Sequence, residues 1–144
     1  MLRASGTEFN VDQFLRASSF SPNRIFRKGE KKFPTTKTIN EFSGFNLVVS
    51  EASGDDIEQQ FKEAIVFLNR YETDLKNLKQ ASGLEDITLD FGVNLRIGYD
   101  DCYWPSIRLP KELVSATGKL ELEIEFSFYP DVNPTYQETP DENA

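Results

Sequence analysis

The sequence predicts an α+β two-layer sandwich, a mostly antiparallel sheet with helices packed on one face. Three observations carry that expectation. Segments 87–97 and 120–128 alternate apolar residues with polar ones or Gly. Each therefore has one dry and one wet face, as strands of a sheet covered on one side do. Between 55 and 80, apolar residues recur at spacings of three, four and seven, the stripe of an amphipathic helix. Finally, the segments run strand, helix, strand, strand, long helix, strand, short helix, strand, an order that suits a sheet with helices segregated to one side.

Leu2 to Ser5 reads as a short strand stopped by Gly6. Asn10, with Gln13 three residues on, is a helix start, and Val11, Phe14 and Leu15 form the buried side of a helix ending near Ser18. Pro22 marks a turn, Arg24 to Lys28 a strand closed by Gly29, and Glu30 to Asn40 an exposed loop. Phe45, Leu47 and Val49 alternate in a further strand. Ser53 and Asp56 read as the capping box of the main helix, whose stripe is Ile57, Phe61, Ile65, Leu68, Leu75 and Leu78, widened by Val66 and Phe67. Asn69 to Thr73 forms helix poorly, so a kink or break is expected there, and Gly83 is a natural stop. After the 87–97 strand and a loop, Pro110 suits the first position of a short helix packed by Leu113 and Val114 and ended by Gly118. Residues 1–129 read as one domain. Residues 130–144, acidic and Pro-containing, read as a flexible tail.

The 144 residues are 38% hydrophobic and 28% charged, with twelve Phe, five Tyr and one Trp. That is enough to build a core without staples and excludes wholesale disorder. There is no His and only one Cys, which removes imidazole catalysis, His or multi-Cys metal sites and internal disulfides. The start, MLRASGTEF, lacks an apolar signal core, and no apolar run is long enough to cross a bilayer. A cytoplasmic protein with no membrane partner is expected. The net charge is −8, from 16 basic and 24 acidic residues, and such a field repels nucleic acid at long range. The segment from Arg24 to Lys37 is nevertheless +5, leaving −13 elsewhere.

Candidate chemistry is sparse. Asp100 and Asp101 are adjacent acids without the ligand spacing of a calcium loop, and such pairs more often cap a turn. Glycosidase-type carboxylate pairing would need a spatial separation that no sequence states. Cys102 lacks a His base and reads as a small packed residue beside Tyr103 and Trp104. No phosphate-cradling, dinucleotide or nucleophile-elbow motif is present. No metal, no cofactor and no enzymatic activity are expected.

Three surfaces remain. Glu121, Glu123 and Glu125, on one face of the last strand, extended to an acidic surface where the strand of Asp90 is its neighbour and opposed in cis by Arg96, read as a solvated face or as a docking row for a basic protein. Tyr99, Tyr103 and Trp104 form a loop cluster, either a lid over the core or interface anchors. Arg24, Arg27, Lys28, Lys31, Lys32 and Lys37, interleaved with Phe26 and Phe33, read as a wet face or a single-strand nucleic-acid surface.

The stretch LRASGTEFNVDQFLRASSFSPNRIFRKGE, with its Arg27-Lys28-Gly29-Glu30, resembles the bacterial domain-of-unknown-function 4279 family. The helical segment 55–82 and the ending RLPKELVSATGKLELEIEFSFY resemble it too, so the likeness spans Leu2 to Tyr129. Where the family has a glycine-rich pattern after the first helix, this chain has Ser18, Ser19 and Phe20. The resemblance brings no established activity and no site residues. Small acidic bacterial domains of this kind are often proposed as immunity or partner-binding proteins. The expected function is therefore binding, with an immunity-type inhibitor of a basic, nucleic-acid-degrading toxin as the specific form. A small-molecule or single-stranded nucleic-acid module using residues 24–37 is the alternative.

Overall fold

A computed structural model of the chain describes residues 1–99 and 106–134. Five strands form one sheet: β1 (Leu2–Gly6), β2 (Arg24–Phe26), β3 (Ser43–Leu47), β4 (Asp86–Ile97) and β5 (Glu123–Val132). Their order is β2-β3-β1-β4-β5. The β2/β3, β3/β1 and β1/β4 pairs are antiparallel, whereas β4 and β5 run parallel. Helices α1 (Val11–Arg16), α2 (Ile57–Arg70), α3 (Glu72–Lys79) and α4 (Lys111–Leu120) complete the fold, an α+β sandwich with a mostly antiparallel sheet. The parallel pair follows from its connection, since parallel neighbours need a crossover and α4 is that crossover.

Burial alternates as the sequence pattern requires. Leu2, Ala4, Phe45, Leu47, Leu89, Phe91 and Val93 are buried on the helix side, with Ile124, Phe126 and Leu95 partly buried and Glu123 and Glu125 exposed. The ring of Phe61 from α2 meets Phe91 edge-on at 4.9 Å between centroids. At the other end of the layer, Phe14, Phe20, Phe45, Phe67 and Tyr71 form a chain of ring contacts. At the end of β1 backbone passes directly over backbone. A Cβ on Gly6 would lie 1.9 Å from the carbonyl oxygen of Gly83, and Gly83 itself has φ 77°.

Several boundaries differ from the sequence reading, each for a local reason. The long helix does break where expected, at Tyr71, and restarts there without a side-chain cap. Its N-cap is Asp56 alone, accepting from the Gln59 N–H at 3.0 Å. Ser53 is instead used in a turn, its Oγ accepting from the Asp55 N–H. Val66 is 66% exposed and lies off the stripe that Phe67 and Leu68 continue. Pro110 precedes the helix as its N-cap, in extended backbone. Gly118 does not end α4, which runs on to Leu120 and stops at Glu121 with φ 53°. Leu113, Thr117 and Leu120 are the buried face of α4, so the helical period claims Leu120 before the alternation begins. The last strand therefore starts at Glu123 and runs through Pro130 to Val132. The 30–40 loop is a narrow antiparallel arm, with Lys31 bridged to Ile39 and the Lys32 N–H donating to the Thr38 carbonyl at 2.8 Å.

The strand lengths are unequal, and one side chain repairs the mismatch. β1 covers only the first part of β4. Beyond it, the Asn94 N–H donates to the Gly54 carbonyl at 3.0 Å. Gln60, 6% exposed on α2, donates through Nε2 to the Gly92 carbonyl at 2.8 Å and the Ser53 carbonyl at 3.0 Å. A buried polar group is tolerated when bonded in this way. Gln60→Leu keeps the volume and leaves both carbonyls short of a donor. It is expected to lower unfolding stability by about 1–3 kcal/mol, read as a lower urea midpoint with an unchanged slope.

Candidate functional site

The helix-free face of the sheet is where most of the chemistry-bearing side chains of β1, β4 and β5 meet. Arg3 of β1, Thr88 and Asp90 of β4, and Glu123, Glu125, Ser127 and Tyr129 of β5 all occupy the outward positions of the alternation. The register sets Asp90 beside Glu125 and Thr88 beside Glu123. Two contacts stitch the three strands together across this face. Arg3 donates to the Glu125 carboxylate at 2.5 Å, and Ser127 Oγ donates to Asp90 Oδ1 at 2.7 Å. Glu123 has no ion pair among the described residues. Tyr129 is 58% exposed, and its ring lies over Gly92, where a Cβ would meet it at 3.4 Å. Beside it, where β1 begins, is a shallow polar pocket of about 260 Å³ whose lining includes Met1, Ser50, Gln60, Asp90, Asn94 and Tyr129.

The acidic row read from the sequence is thus shortened and rebuilt. Glu121 is not in the strand. It follows the last residue of α4 in left-handed backbone and pairs with Lys79 of α3, on the helix side. Glu123 and Glu125 remain, joined by Asp90 from the neighbouring strand. The cation opposing the row is Arg3 rather than Arg96. Arg96 stands beside Asp131 in the register, with its guanidinium 4.3 Å from the centre of the Tyr99 ring. Tyr99 also donates to Asp131 at 3.3 Å, so it is tied to the end of β4 and β5. Tyr103 and Trp104, with Asp100, Asp101 and Cys102, lie outside the described residues.

The basic segment divides in two. Arg27 forms a bidentate pair with Asp12 of α1 at 2.7 and 2.8 Å, and Lys28 pairs with Glu8 at 2.9 Å. These cations fasten the base of the arm to the body. Toward the tip, Arg24 donates to the Lys32 carbonyl at 3.0 Å and lies 4.8 Å from the centre of the Phe33 ring. Lys31, Lys32 and Lys37 are exposed there and make no ion pair among the described residues. Among the described residues no group of three or more Cys, Asp or Glu is placed to hold a metal ion. No helix among them is long and apolar enough to cross a membrane.

Arg3, Ser127 and Tyr129 were not singled out from the sequence. Alternation places Arg3 on the polar side of its strand, but only the strand order brings it to Glu125. The sequence also contains no signal for the pocket, because the pocket exists where one strand is shorter than its neighbour.

The family model described as domain of unknown function (DUF4279) matches residues 1–131 of the chain. No curated protein and no solved structure matches it.

The Asp12–Arg27 pair makes a pH test of how the arm is held. The guanidinium bonded to Asp12 holds its carboxyl below its ordinary value of 3.8. A carboxyl depressed by folding stabilises the fold above its unfolded value and loses that contribution as pH falls through the folded one. Asp12→Asn is therefore expected to melt below wild type near neutral pH. The two melting curves should converge as pH falls below 3.8.

Proposed function

The chain belongs to the DUF4279 family, and from that premise we propose that it is a non-enzymatic binding protein. It receives a basic protein partner on the helix-free face of β4 and β5. One observation carries the reading: half-buried Asp90 and exposed Glu123 and Glu125 share one sheet face, with Tyr129 standing at its end. Carboxylates there supply steering, and an exposed Tyr supplies the large amphipathic contact area that interface centres favour. In its specific form, the protein is a cytoplasmic immunity-type inhibitor, occupying the positive cleft of a nucleic-acid-degrading toxin. The net charge of −8 favours fast encounter with such a partner.

A second reading rests on the arm tip. Arg24 stacked near Phe33, with Lys31, Lys32 and Lys37 exposed around it, matches the cation-plus-aromatic chemistry of single-strand nucleic-acid surfaces. The acidity of the remaining surface weighs against it at physiological salt.

Charge reversal separates the two. Glu123→Lys with Glu125→Lys should leave folding intact and slow association with a basic partner about tenfold or more at low salt, with the penalty shrinking as salt rises. Glu121→Lys, on the helix side, should leave the association rate close to wild type. Unchanged kinetics in the double variant would reduce the face to a solvated surface. Tight binding of a labelled single-stranded oligonucleotide, abolished by Lys31→Glu with Lys32→Glu and Lys37→Glu, would promote the second reading.

A further inference from the structure

β5 is the last strand of the sheet, and its free edge has a definite set of backbone groups. The Asn133 N–H donates to the Ile97 carbonyl, and the register is uniform along the whole ladder. Backbone groups of a strand alternate in direction. Glu123, Glu125, Ser127, Tyr129 and Asp131 therefore turn their N–H and C=O groups toward β4. Ile124, Phe126, Phe128, Pro130 and Val132 turn theirs away from the sheet. No hydrogen bond reaches the outward groups of Ile124, Phe126 or Phe128 among the described residues. The missing N–H of Pro130 falls on this outward edge, the place where a sheet tolerates Pro. The edge thus offers three successive donor-and-acceptor residues, then stops.

These groups fit a second copy of the same strand. We infer that the chain forms a two-fold symmetric dimer by antiparallel pairing of β5 with β5 of a second copy, joining two five-stranded sheets into one. The symmetry axis passes at Phe126, which faces Phe126 of the second copy, and Ile124 faces Phe128. Each of these pairs joins outward backbone groups on both chains, as a hydrogen-bonded antiparallel pair requires. On the helix side the facing residues are all apolar. On the other face Glu125 meets Ser127 and Glu123 meets Tyr129, so no acid opposes an acid.

The neighbouring registers are worse on charge or on backbone grounds. Centring on Glu125 puts that carboxylate against itself. Centring on Ile124 sets Glu123 against Glu125. Centring on Ser127 sets Glu123 against Asp131 and gives Ile124 the donor-less Pro130 as its partner. Centring on Phe128 sets Glu125 against Asp131. Like charges directly opposite destabilise a pair of strands. Phe128, 50% exposed in the single chain, gains an apolar neighbour in the favoured register. This inference is independent of the partner-binding proposal, and either can fail alone. If both hold, the dimer presents two acidic faces in one continuous surface.

The mass in solution and a cross-link test it. Light scattering on the full chain, from low micromolar to millimolar concentration, should approach twice the 16.5 kDa of one chain. Phe128→Pro removes an outward N–H and no bond to β4, so it should give the mass of one chain, with a native circular dichroism spectrum. Phe128→Leu keeps the N–H and should remain dimeric. Register is read with Cys102→Ser throughout. Glu125→Cys mixed with Ser127→Cys should yield a disulfide-linked dimer. Facing residues of this type have Cα atoms about 4.5 Å apart, within disulfide reach. Either variant alone should not cross-link, its two copies being diagonal at about 7–8 Å. A wild type monomeric throughout, a dimeric Phe128→Pro, or cross-linking of Glu125→Cys with itself would each overturn the inference. If Phe128→Pro does not fold, the mixed cross-link decides.

Discussion

A strand longer than its neighbour must find other partners for the backbone groups left over, and β4 sets that problem for the whole molecule. Ten of its twelve residues are matched along one side by β5, but on the other side β1 pairs with only four. The leftover groups are met by the 48–56 segment, through Gly54, and by Gln60 reaching from α2. That solution fixes the start of α2 against the sheet. It also leaves the polar pocket beside Asp90 and Tyr129, because a segment and a side chain fill less space than a strand.

The same strand organises the charged face. β1 lies on one flank of β4 and β5 on the other, so Arg3 and Glu125 reach each other across it. Ion pairs elsewhere act as fasteners between elements. Glu72 of α3 accepts from Lys119 of α4 and from Lys76, and these cations hold its carboxyl down at about 2. Lys79 pairs with Glu121 beyond the end of α4, and Arg27 and Lys28 tie the arm to Asp12 and Glu8. Exposed pairs of this sort contribute little stability each, so their main effect is geometric. Among the described residues, Glu123 on the sheet face and Lys31, Lys32 and Lys37 on the arm are left without an ion pair.

Much of the fold was legible in the residue pattern. Alternation at 87–97 identified β4 and its buried side, since a period-two apolar face has to lie against the core. The stripe from Ile57 to Leu78 identified the helical layer, and the weak helix formers at 69–73 marked its break. The boundary at Leu120 was misread because Leu120, Leu122 and Ile124 satisfy the strand alternation, while Leu120 also continues the helical spacing from Leu113 and Thr117. A short apolar sequence compatible with both periods is decided by which neighbour buries it, and α4 against the core won. The candidate site was less legible. Glu123 and Glu125 were found by their own strand's alternation, Glu121 was wrongly included with them, and Arg3 and Tyr129 were missed.

The sequence by itself determined which residues alternate, which recur at helical spacing, where charge is concentrated and which chemistries lack their residues. All of these depend on neighbours within a few positions along the chain. Only the tertiary structure decided that β5 lies parallel to β4 at an edge, that Arg3 faces Glu125, and that β1 covers so little of β4 that a pocket is left beside it. Those outcomes are set by strand order and relative strand length. They depend on how segments far apart in the chain bury one another's apolar faces, which no local pattern encodes.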